Sequence, residues 1–227
     1  MTSAVYFDLD GTLCSYDTSF EALFRRTVSL YGEPTDVAHE TYVDRLLTAL
    51  DRCESDPYRR AFEPVTKTIT LDVTPTTLAA EYCERELEAT VVTADAKRVL
   101  DTVAATNPTG IITNGDGEHQ RAKLDRHELA DRVDEVLVSN DCGVRKPDRQ
   151  LFELAKECLD ADEFIYVGDS YDEDIVGARE AGFRTVYVDG GSVAVEDAAA
   201  ADGIVSSIGE LLDDDPLPAA LEGPFAS

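Results

Sequence analysis

The chain has 227 residues, 43% of them hydrophobic, which is enough for one large domain or for a domain with an inserted subdomain. Its 47 aspartates and glutamates outnumber 20 lysines and arginines, so the formal net charge is −27. Such a surface repels DNA, RNA and anionic lipid, because binding any of them requires a basic footprint. Neither a nucleic acid nor a membrane is therefore an expected partner.

Six short apolar runs predict the strands of a parallel sheet. They are residues 4–7, 110–113, 135–138, 164–167, 185–188 and 203–205. Helical patterns at 95–105, 148–159 and 173–182 alternate with these runs. This alternation is typical of an α/β fold with a doubly wound parallel sheet, in which ligands bind at the carboxyl ends of the strands.

Residues 15–89 interrupt the alternation with three helical patterns, at 19–32, 36–53 and 74–89. An insertion of about 75 residues is too long for an ordinary loop. We therefore expect a small helical subdomain over residues 15–89, placed on a core formed by residues 1–14 and 90–227. The acidic, proline-containing tail, 213–227, is expected to be a loosely packed end.

The first strand ends in two aspartates, Asp8 and Asp10, in the stretch YFDLDGTLC. Alternate side chains of a strand share a face, so the two carboxylates project together and Gly11 turns the chain. Buried like charges repel each other, so one must be protonated or a cation must lie between them. Such an oxygen-rich setting suits Mg²⁺, although acids beside a glycine also occur in simple turns.

A second acidic cluster, GDSYDED, follows the run at 164–167. Asp169 lies at the end of that strand, where it is well placed to bind metal. Asp174 is expected to be a ligand or to orient other groups. We assign Asp172 and Glu173 to the first turn of the next helix, where acids offset the helix dipole.

Two further polar stretches follow strands. Thr113, Asn114 and Gly115 end the run at 110–113, and a hydroxyl followed by turning backbone can hold phosphate oxygens. Lys146 precedes Pro147, and a fixed ammonium there would neutralise a phosphate. Taken alone, the first stretch also reads as a polar turn, and the second as an exposed lysine at a helix start.

The four stretches in this order resemble the haloacid dehalogenase superfamily of hydrolases. The matching residues read DLDGT at 8–12, TNG at 113–115, KP at 146–147 and GDSYDEDIVGA at 168–178. The resemblance implies a Rossmann-like core with residues 15–89 as a helical cap. It favours the phosphatase branch, of the phosphoglycolate phosphatase-like type.

The resemblance also implies roles for the aspartates. Asp8 would attack phosphorus and form an aspartyl phosphate, and Asp10 would act as general acid and then as base for water. Mg²⁺ would be held by Asp8, by the backbone carbonyl of Asp10 and by Asp169.

The polar stretches would hold the transferring group. Thr113, the Asn114 amide and Lys146 are expected to bind the phosphoryl oxygens, whose spread negative charge needs positioning and electrostatic support. Three residues complete the motifs in supporting positions: Gly115, Ser170 and Asp174.

The expected function is a Mg²⁺-dependent phosphatase that acts on a small phosphorylated metabolite. Enzymes that displace halide typically lack a second acid, so Asp10 argues against a haloacid dehalogenase-type hydrolase. A phosphomutase, or an aspartyl-phosphate switch protein that is not an enzyme, would also be built around a phosphorylated aspartate. The sequence leaves the oligomeric state and the substrate open: phosphoglycolate, sugar phosphates and nucleoside monophosphates all fit.

Other features of the sequence indicate the cellular compartment and the salt content in which the protein works. The five cysteines form no C-x-x-C pair, and no stretch approaches the roughly 18 apolar residues of a membrane span. We therefore expect a cytoplasmic protein. The acid excess and the small number of lysines suggest a halophile, where salt screens self-repulsion. The three histidines, His39, His119 and His127, are scattered and expected at the surface, with approach to the site as the alternative for His119, which closely follows the Thr113 turn.

Overall fold

The six predicted strands form one parallel sheet, as the sequence indicates. The computed structural model describes residues 2–190, 200–212 and 222–225. In chain order the strands are Ser3–Phe7 (β1), Ser15–Tyr16 (β2), Thr90–Val91 (β3), Thr109–Thr113 (β4), Glu135–Val138 (β5), Glu163–Gly168 (β6), Arg184–Val188 (β7) and Gly203–Val205 (β8). The sheet has the order β5-β4-β1-β6-β7-β8, and all its neighbours are parallel.

Several helices of the core and of residues 15–89 begin at side-chain caps. Within the described ranges the α-helices are Phe20–Val28 (α1), Asp36–Asp51 (α2), Pro57–Thr68 (α3), Pro75–Glu88 (α4), Ala94–Ala104 (α5), Gly117–Arg126 (α6), Ser139–Cys142 (α7), Arg149–Cys158 (α8), Gly177–Glu180 (α9) and Glu222–Phe225 (α10). Ser19, Thr35, Thr74 and Thr93 each accept a hydrogen bond from a first-turn amide, which fixes the starts of α1, α2, α4 and α5. None of these helices has both the length and the apolar character that crossing a membrane requires.

Both faces of the sheet are covered, which explains why its strands are continuous apolar runs. On β1, Val5 and Phe7 pack on one face with Val99 of α5. Tyr6 points to the other face and packs with Phe152 of α8. Helices therefore lie on both sides, and the predicted doubly wound α/β fold is confirmed.

Residues 15–89, called the insert below, carry α1 to α4 and a hydrophobic core of their own. That core consists of Leu23, Phe24, Val28, Ala38, Tyr42, Ala61, Phe62, Val65, Leu78, Ala79, Tyr82 and Ala89. The two segments that connect the insert to the sheet pair antiparallel as β2 and β3. The division of the chain at 14/15 and 89/90 stays a prediction.

Two of the longer helices are not predicted by the sequence. Helix α3 contains Pro64, which reads as a helix break, yet Phe62 and Val65 on its inner face are fully buried. Helix α6 is so polar that it lacks an apolar stripe, and it buries Gln120 and Lys123 instead. Tertiary contacts decide α6, because it lacks the amphipathic pattern that a sequence window detects. Helix α3 is amphipathic, and its proline is the reason that the sequence does not predict it.

The tail lies mostly outside the described residues. Within it, α10 places Phe225 in the same hydrophobic cluster as Val5 and Phe7, where its side chain is buried. For this short helix the prediction of a loosely packed end is wrong, since an apolar side chain in the core holds it to the sheet.

We predict that Phe62→Ala destabilises the insert by about 3–5 kcal/mol, since it removes an aromatic ring from a closed core. The Phe62 ring lies 4.5 Å from the Tyr42 ring and 6.0 Å from those of Phe24 and Tyr82, measured between centroids. Urea unfolding followed by circular dichroism measures the loss. Leu30→Ala, at a side chain that is 54% exposed, is the control and should cost under about 0.5 kcal/mol. Equal midpoints for the two variants would contradict the prediction.

Candidate active site

Asp8 lies at the carboxyl end of β1, where its N–H donates to the Val167 carbonyl at 2.9 Å. The carboxylate is only 5% exposed, and Oδ1 accepts a 2.6 Å hydrogen bond from Lys146 Nζ. The same ammonium donates to Asp174 Oδ1 at 2.6 Å and to the Tyr166 hydroxyl at 2.9 Å. The buried Lys146 therefore joins two buried carboxylates at the end of the central strands.

The charges of this group are only partly balanced. Burial raises the pKa of the Asp8 carboxyl well above its ordinary value; Lys146 opposes this rise, while the Asp174 and Asp169 carboxylates add to it. Burial alone would lower the pKa of Lys146, but Asp174 and Asp8 outweigh that effect and raise it. The ammonium therefore keeps its charge, and the carboxylates around it remain in excess.

Asp169 follows β6 and faces Asp8 across the turn after β1. Thr12 Oγ1 donates to Asp169 Oδ1 at 3.2 Å. Gly11, with φ of +101°, lies so close that an added Cβ would be 2.1 Å from Asp169 Oδ2. Gly168 makes a similar approach, since a Cβ there would lie 2.4 Å from Asp174 Oδ2. Both glycines are therefore needed for the carboxylates to come together.

Asp8, Asp169 and Asp174 could hold a metal ion, because one oxygen of each lies within 4.8 Å of the others. Burial, with the Asp174 charge, also raises the pKa of Asp169. Uncompensated carboxylates in an all-oxygen donor set are the chemistry that hard divalent cations prefer. The residues present therefore fit such an ion. The expected contact from the Asp10 backbone carbonyl stays a prediction.

The Asp10 carboxylate points into a different environment. Its Oδ1 accepts from the Tyr16 hydroxyl at 2.6 Å, its Oδ2 accepts from Gln120 Nε2 at 2.7 Å, and Lys123 Nζ lies 3.0 Å from Oδ1. Burial by itself would raise the pKa of Asp10, but Lys123, Gln120 and Tyr16 together outweigh burial and lower it. Asp10 is therefore held in its ionised form.

The insert supplies part of the Asp10 environment. Glu86, near the end of α4, is 4% exposed and places Oε1 3.3 Å from Lys123 Nζ. His119 Nε2 lies 3.2 Å from the same oxygen, within ion-pair distance but without the geometry of a hydrogen bond. The expectation that His119 is a surface residue is wrong: it is 6% exposed and lies against Glu86 of α4 and the Tyr58 ring of α3.

Thr113 and Asn114 both lie next to this network. Gln120 Nε2 donates to Thr113 Oγ1 at 2.6 Å as well as to Asp10. The Asn114 side chain binds the main chain of Lys146, accepting from its N–H at 2.9 Å and donating to its carbonyl at 3.1 Å. Gly115 N–H donates to Ser139 Oγ at 3.0 Å. Asn114 thus fixes the backbone that carries the buried ammonium.

The turn after β6 differs from the expectation in one respect. Ser170 caps it, accepting from the Glu173 N–H, and its own N–H donates to Asp174 Oδ2 at 2.9 Å. The Glu173 carboxylate accepts from Asn114 Nδ2 at 2.9 Å and from Arg145 Nη2 at 2.8 Å. Glu173 therefore links three loops of the site, which is a larger role than the predicted helix-dipole one. Asp172 is exposed in the same turn.

Four residues around Asp10 are missed by sequence reasoning: Tyr16, Glu86, Gln120 and Lys123. A signal exists for two of them, since Gln120 and Lys123 are three apart, shortly after the Thr113 turn, and lysine is rare in this chain. No local pattern marks Glu86, because its partner Lys123 is remote in sequence.

A cavity of about 460 Å³ opens beside Asp10, between the sheet and the insert. Its floor is polar and includes Asn114, Gln120 and Lys123. Its walls come from the insert and are mostly apolar or aromatic, with Tyr16, Phe20, Tyr42, Val43, Leu46, Leu47, Leu50, Tyr58 and Tyr82. A small molecule that reaches the aspartates is therefore surrounded by side chains of the insert.

Comparison with known proteins assigns the chain to a family. A family model described as haloacid dehalogenase-like hydrolase matches residues 2–182. A ribulose-1,5-bisphosphate 5-phosphatase of Halopiger xanaduensis is 32% identical over 94% of this chain and 99% of its own. A glyceraldehyde 3-phosphate phosphatase of Pyrococcus furiosus is 30% identical over 92% and 91%. A pyrimidine 5′-nucleotidase of Escherichia coli is 28% identical over 91% and 95%.

Solved structures agree in fold. The crystal structure of a 2-haloacid dehalogenase from Pseudomonas syringae superposes with a TM-score of 0.72 and 27% identity, over 93% of this chain and 96% of that one. The expected superfamily and fold are therefore confirmed.

We predict that Asp8→Asn raises the melting temperature of the protein in the absence of divalent cations. Because the pKa of Asp8 is raised in the folded protein, the free energy of unfolding falls as the pH rises above the ordinary pKa of an aspartate, and the loss is complete once the pH exceeds the raised value. An amide does not ionise and avoids this loss. Each kcal/mol relieved raises Tm by about 2–4 °C in a chain of this size. Calorimetry at pH 8 tests this, and the gain should vanish toward pH 3, where the carboxyl is protonated. Asp160→Asn, at an exposed acid, is the control, and a lower Tm for Asp8→Asn would refute the repulsion argument.

Proposed function

Because the chain belongs to the haloacid dehalogenase-like hydrolases, we propose that this hydrolase is a Mg²⁺-dependent phosphatase acting through an aspartyl phosphate on Asp8. The observation that carries the proposal is the pair of nearby carboxylates in opposite environments. Burial and like charges raise the pKa of Asp8, whereas cationic and hydrogen-bonding neighbours lower that of Asp10. Such a division is expected where two carboxylates have different chemical roles.

In the proposed first step, an Asp8 carboxylate oxygen forms a bond to phosphorus while the bond from phosphorus to the leaving alcohol breaks. Asp10 donates a proton to the departing oxygen. In the second step, water attacks the phosphorus of the aspartyl phosphate, Asp10 takes up the proton, and inorganic phosphate leaves from Asp8. When bound by the carboxylates of Asp8 and Asp169 and by the backbone carbonyl of Asp10, Mg²⁺ would supply positive charge that lets an anion approach the nucleophile.

The Asp10 neighbours support its proposed base role directly. Lys123 and Tyr16 hold its carboxylate ionised, which is the form that accepts a proton from water. For the first step Asp10 must be protonated. The negative charge of an arriving phosphoryl group raises the pKa of Asp10, because it offsets the positive charge of Lys123 that keeps the carboxylate ionised. The same residues therefore keep Asp10 oriented in both protonation states.

Lys146 and Thr113 are the proposed contacts for the phosphoryl oxygens, together with Asn114. The Lys146 ammonium is charged and fixed 2.6 Å from Asp8 Oδ1, so it lies beside any group that Asp8 attacks. Asn114 holds the Lys146 backbone in place. Gly115, Ser170 and Asp174 are proposed to support these contacts. Asp174 does so directly, because it accepts a hydrogen bond from the Lys146 ammonium.

The names of the relatives support a phosphatase that acts on a small phosphorylated metabolite. The three related enzymes are named for the hydrolysis of phosphate esters of a sugar, a triose and a nucleoside. Their leaving groups differ, so the relatives agree on the reaction but not on the substrate. The similar dehalogenase structure keeps halide displacement as the second candidate, and release of chloride from 2-chloropropionate would favour it.

Asp8→Asn should abolish the release of phosphate from p-nitrophenyl phosphate and from sugar phosphates, with a loss of at least about 10³-fold in kcat. The assay is run at high salt with and without Mg²⁺, with Asp160→Asn as the matched control. Substantial Mg²⁺-dependent activity in Asp8→Asn would eliminate the proposed nucleophile.

Asp10→Asn should lower kcat by about 10²–10⁴-fold for alkyl phosphates, because their alkoxide leaving groups need a proton. The loss should be much smaller for the formation of the phosphoenzyme from p-nitrophenyl phosphate, whose leaving group is stable as an anion. Single-turnover kinetics measure both steps, and Asp17→Asn, at an exposed aspartate of the same segment, is the control. Equal losses for the two kinds of ester would contradict an acid role.

A further inference from the structure

We infer that the cavity beside Asp10 selects monophosphate esters whose leaving group is uncharged and carries a flat aromatic ring, as a nucleoside 5′-monophosphate does. The inference rests on the proposed phosphatase function and concerns which part of the substrate the insert recognises. Three properties of the cavity carry it: its charges, its aromatic side chains and its exposed apolar rim.

The charged groups that line the cavity leave little to bind a second anion. Lys123 is already paired with Asp10, at 3.0 Å, and with Glu86, at 3.3 Å. The other basic residue of the lining, His39, packs its ring 5.2 Å from that of Phe24. One imidazole does not replace the paired ammonium and guanidinium groups that hold phosphates and carboxylates. A leaving group that carries its own phosphate or carboxylate would face the carboxylates of Asp10 and Glu86, and this lining has no unpaired lysine or arginine to bind it.

Aromatic rings begin next to the reacting carboxylates and lead outward. The Tyr16 hydroxyl binds Asp10, and the Tyr16 ring packs edge-on against Phe20, with centroids 4.9 Å apart. A leaving group whose oxygen receives a proton from Asp10 must therefore extend along these rings. Flat faces and edges of this kind favour stacking with an aromatic base.

The rim of the cavity is apolar on both sides. Phe20 of α1 is 51% exposed and Leu47 of α2 is 53% exposed, although the surface as a whole is strongly acidic. Both residues line the cavity, together with Leu46 and Leu50. Large apolar side chains exposed at the mouth of a cavity gain most from a ligand that covers them. A triose or glycolate group has only two or three carbons, all of them bearing oxygen, and offers no apolar surface to cover these side chains.

The test compares substrates that differ by one group. Uridine 5′-monophosphate and ribose 5-phosphate share the sugar and the reacting phosphate, and uridine 3′,5′-bisphosphate adds one anion. We expect kcat/KM for uridine 5′-monophosphate to exceed kcat/KM for ribose 5-phosphate by about tenfold or more. It should exceed kcat/KM for the bisphosphate by a similar factor. Comparable values for ribose 5-phosphate, or a preference for the bisphosphate, would overturn the inference.

Variants locate the recognition. Leu47→Ala and Phe20→Ala should each lower the ratio of kcat/KM for uridine 5′-monophosphate to kcat/KM for ribose 5-phosphate by about three- to tenfold. Leu30→Ala is the matched control, because Leu30 is equally exposed on the insert but does not line the cavity. If Leu47→Ala and Phe20→Ala behave like this control, the inference fails.

Failure of the inference is distinguishable from failure of the proposed function. Asp8-dependent hydrolysis of p-nitrophenyl phosphate without any preference for the nucleotide would refute the inference alone. No release of phosphate from any of these esters would refute both.

Discussion

The arrangement of the site depends on one interaction, the buried ammonium of Lys146 between Asp8 and Asp174. Parallel strands that end at the same edge bring acidic side chains together there, and burial makes each charge costly. Lys146 offsets part of that cost at 2.6 Å from both carboxylates. Asn114 holds its backbone and Tyr166 binds its Nζ, so two further segments of the core converge on a single charge.

A second buried lysine gives Asp10 a different character from Asp8, two residues away. Lys123 lies on α6 and reaches Asp10 and Glu86, whereas Lys146 reaches Asp8 and Asp174. Each aspartate thus has its own cation, but Asp8 also faces the carboxylates of Asp169 and Asp174. This difference in surroundings shifts the pKa values of two carboxylates of one loop in opposite directions.

The insert contributes to the chemistry as well as to the shape of the cavity. Glu86 on α4 contacts the lysine that holds Asp10, and Tyr16 on β2 donates to Asp10 itself. These residues lie at the base of the insert, while Phe20 and Leu47 lie at the open side of the cavity. Asp10, the proposed acid and base, therefore lies next to the surface that would contact the leaving group. Recognition of the leaving group and proton transfer to it would take place in the same cavity.

The sequence by itself determined the six strands, the α/β class and the acids and lysine that follow the strands, because buried apolar runs and turn residues are local signals. It also placed Asp8 and Asp169 at strand ends and Asp174 at the start of the following helix. Only the tertiary structure decided that Lys123 pairs with Asp10, that His119 is buried and that Glu86 belongs to the site. The physical reason is distance along the chain: Lys123 and Asp10 are 113 residues apart, and an ion pair across that separation leaves no periodic pattern in either segment.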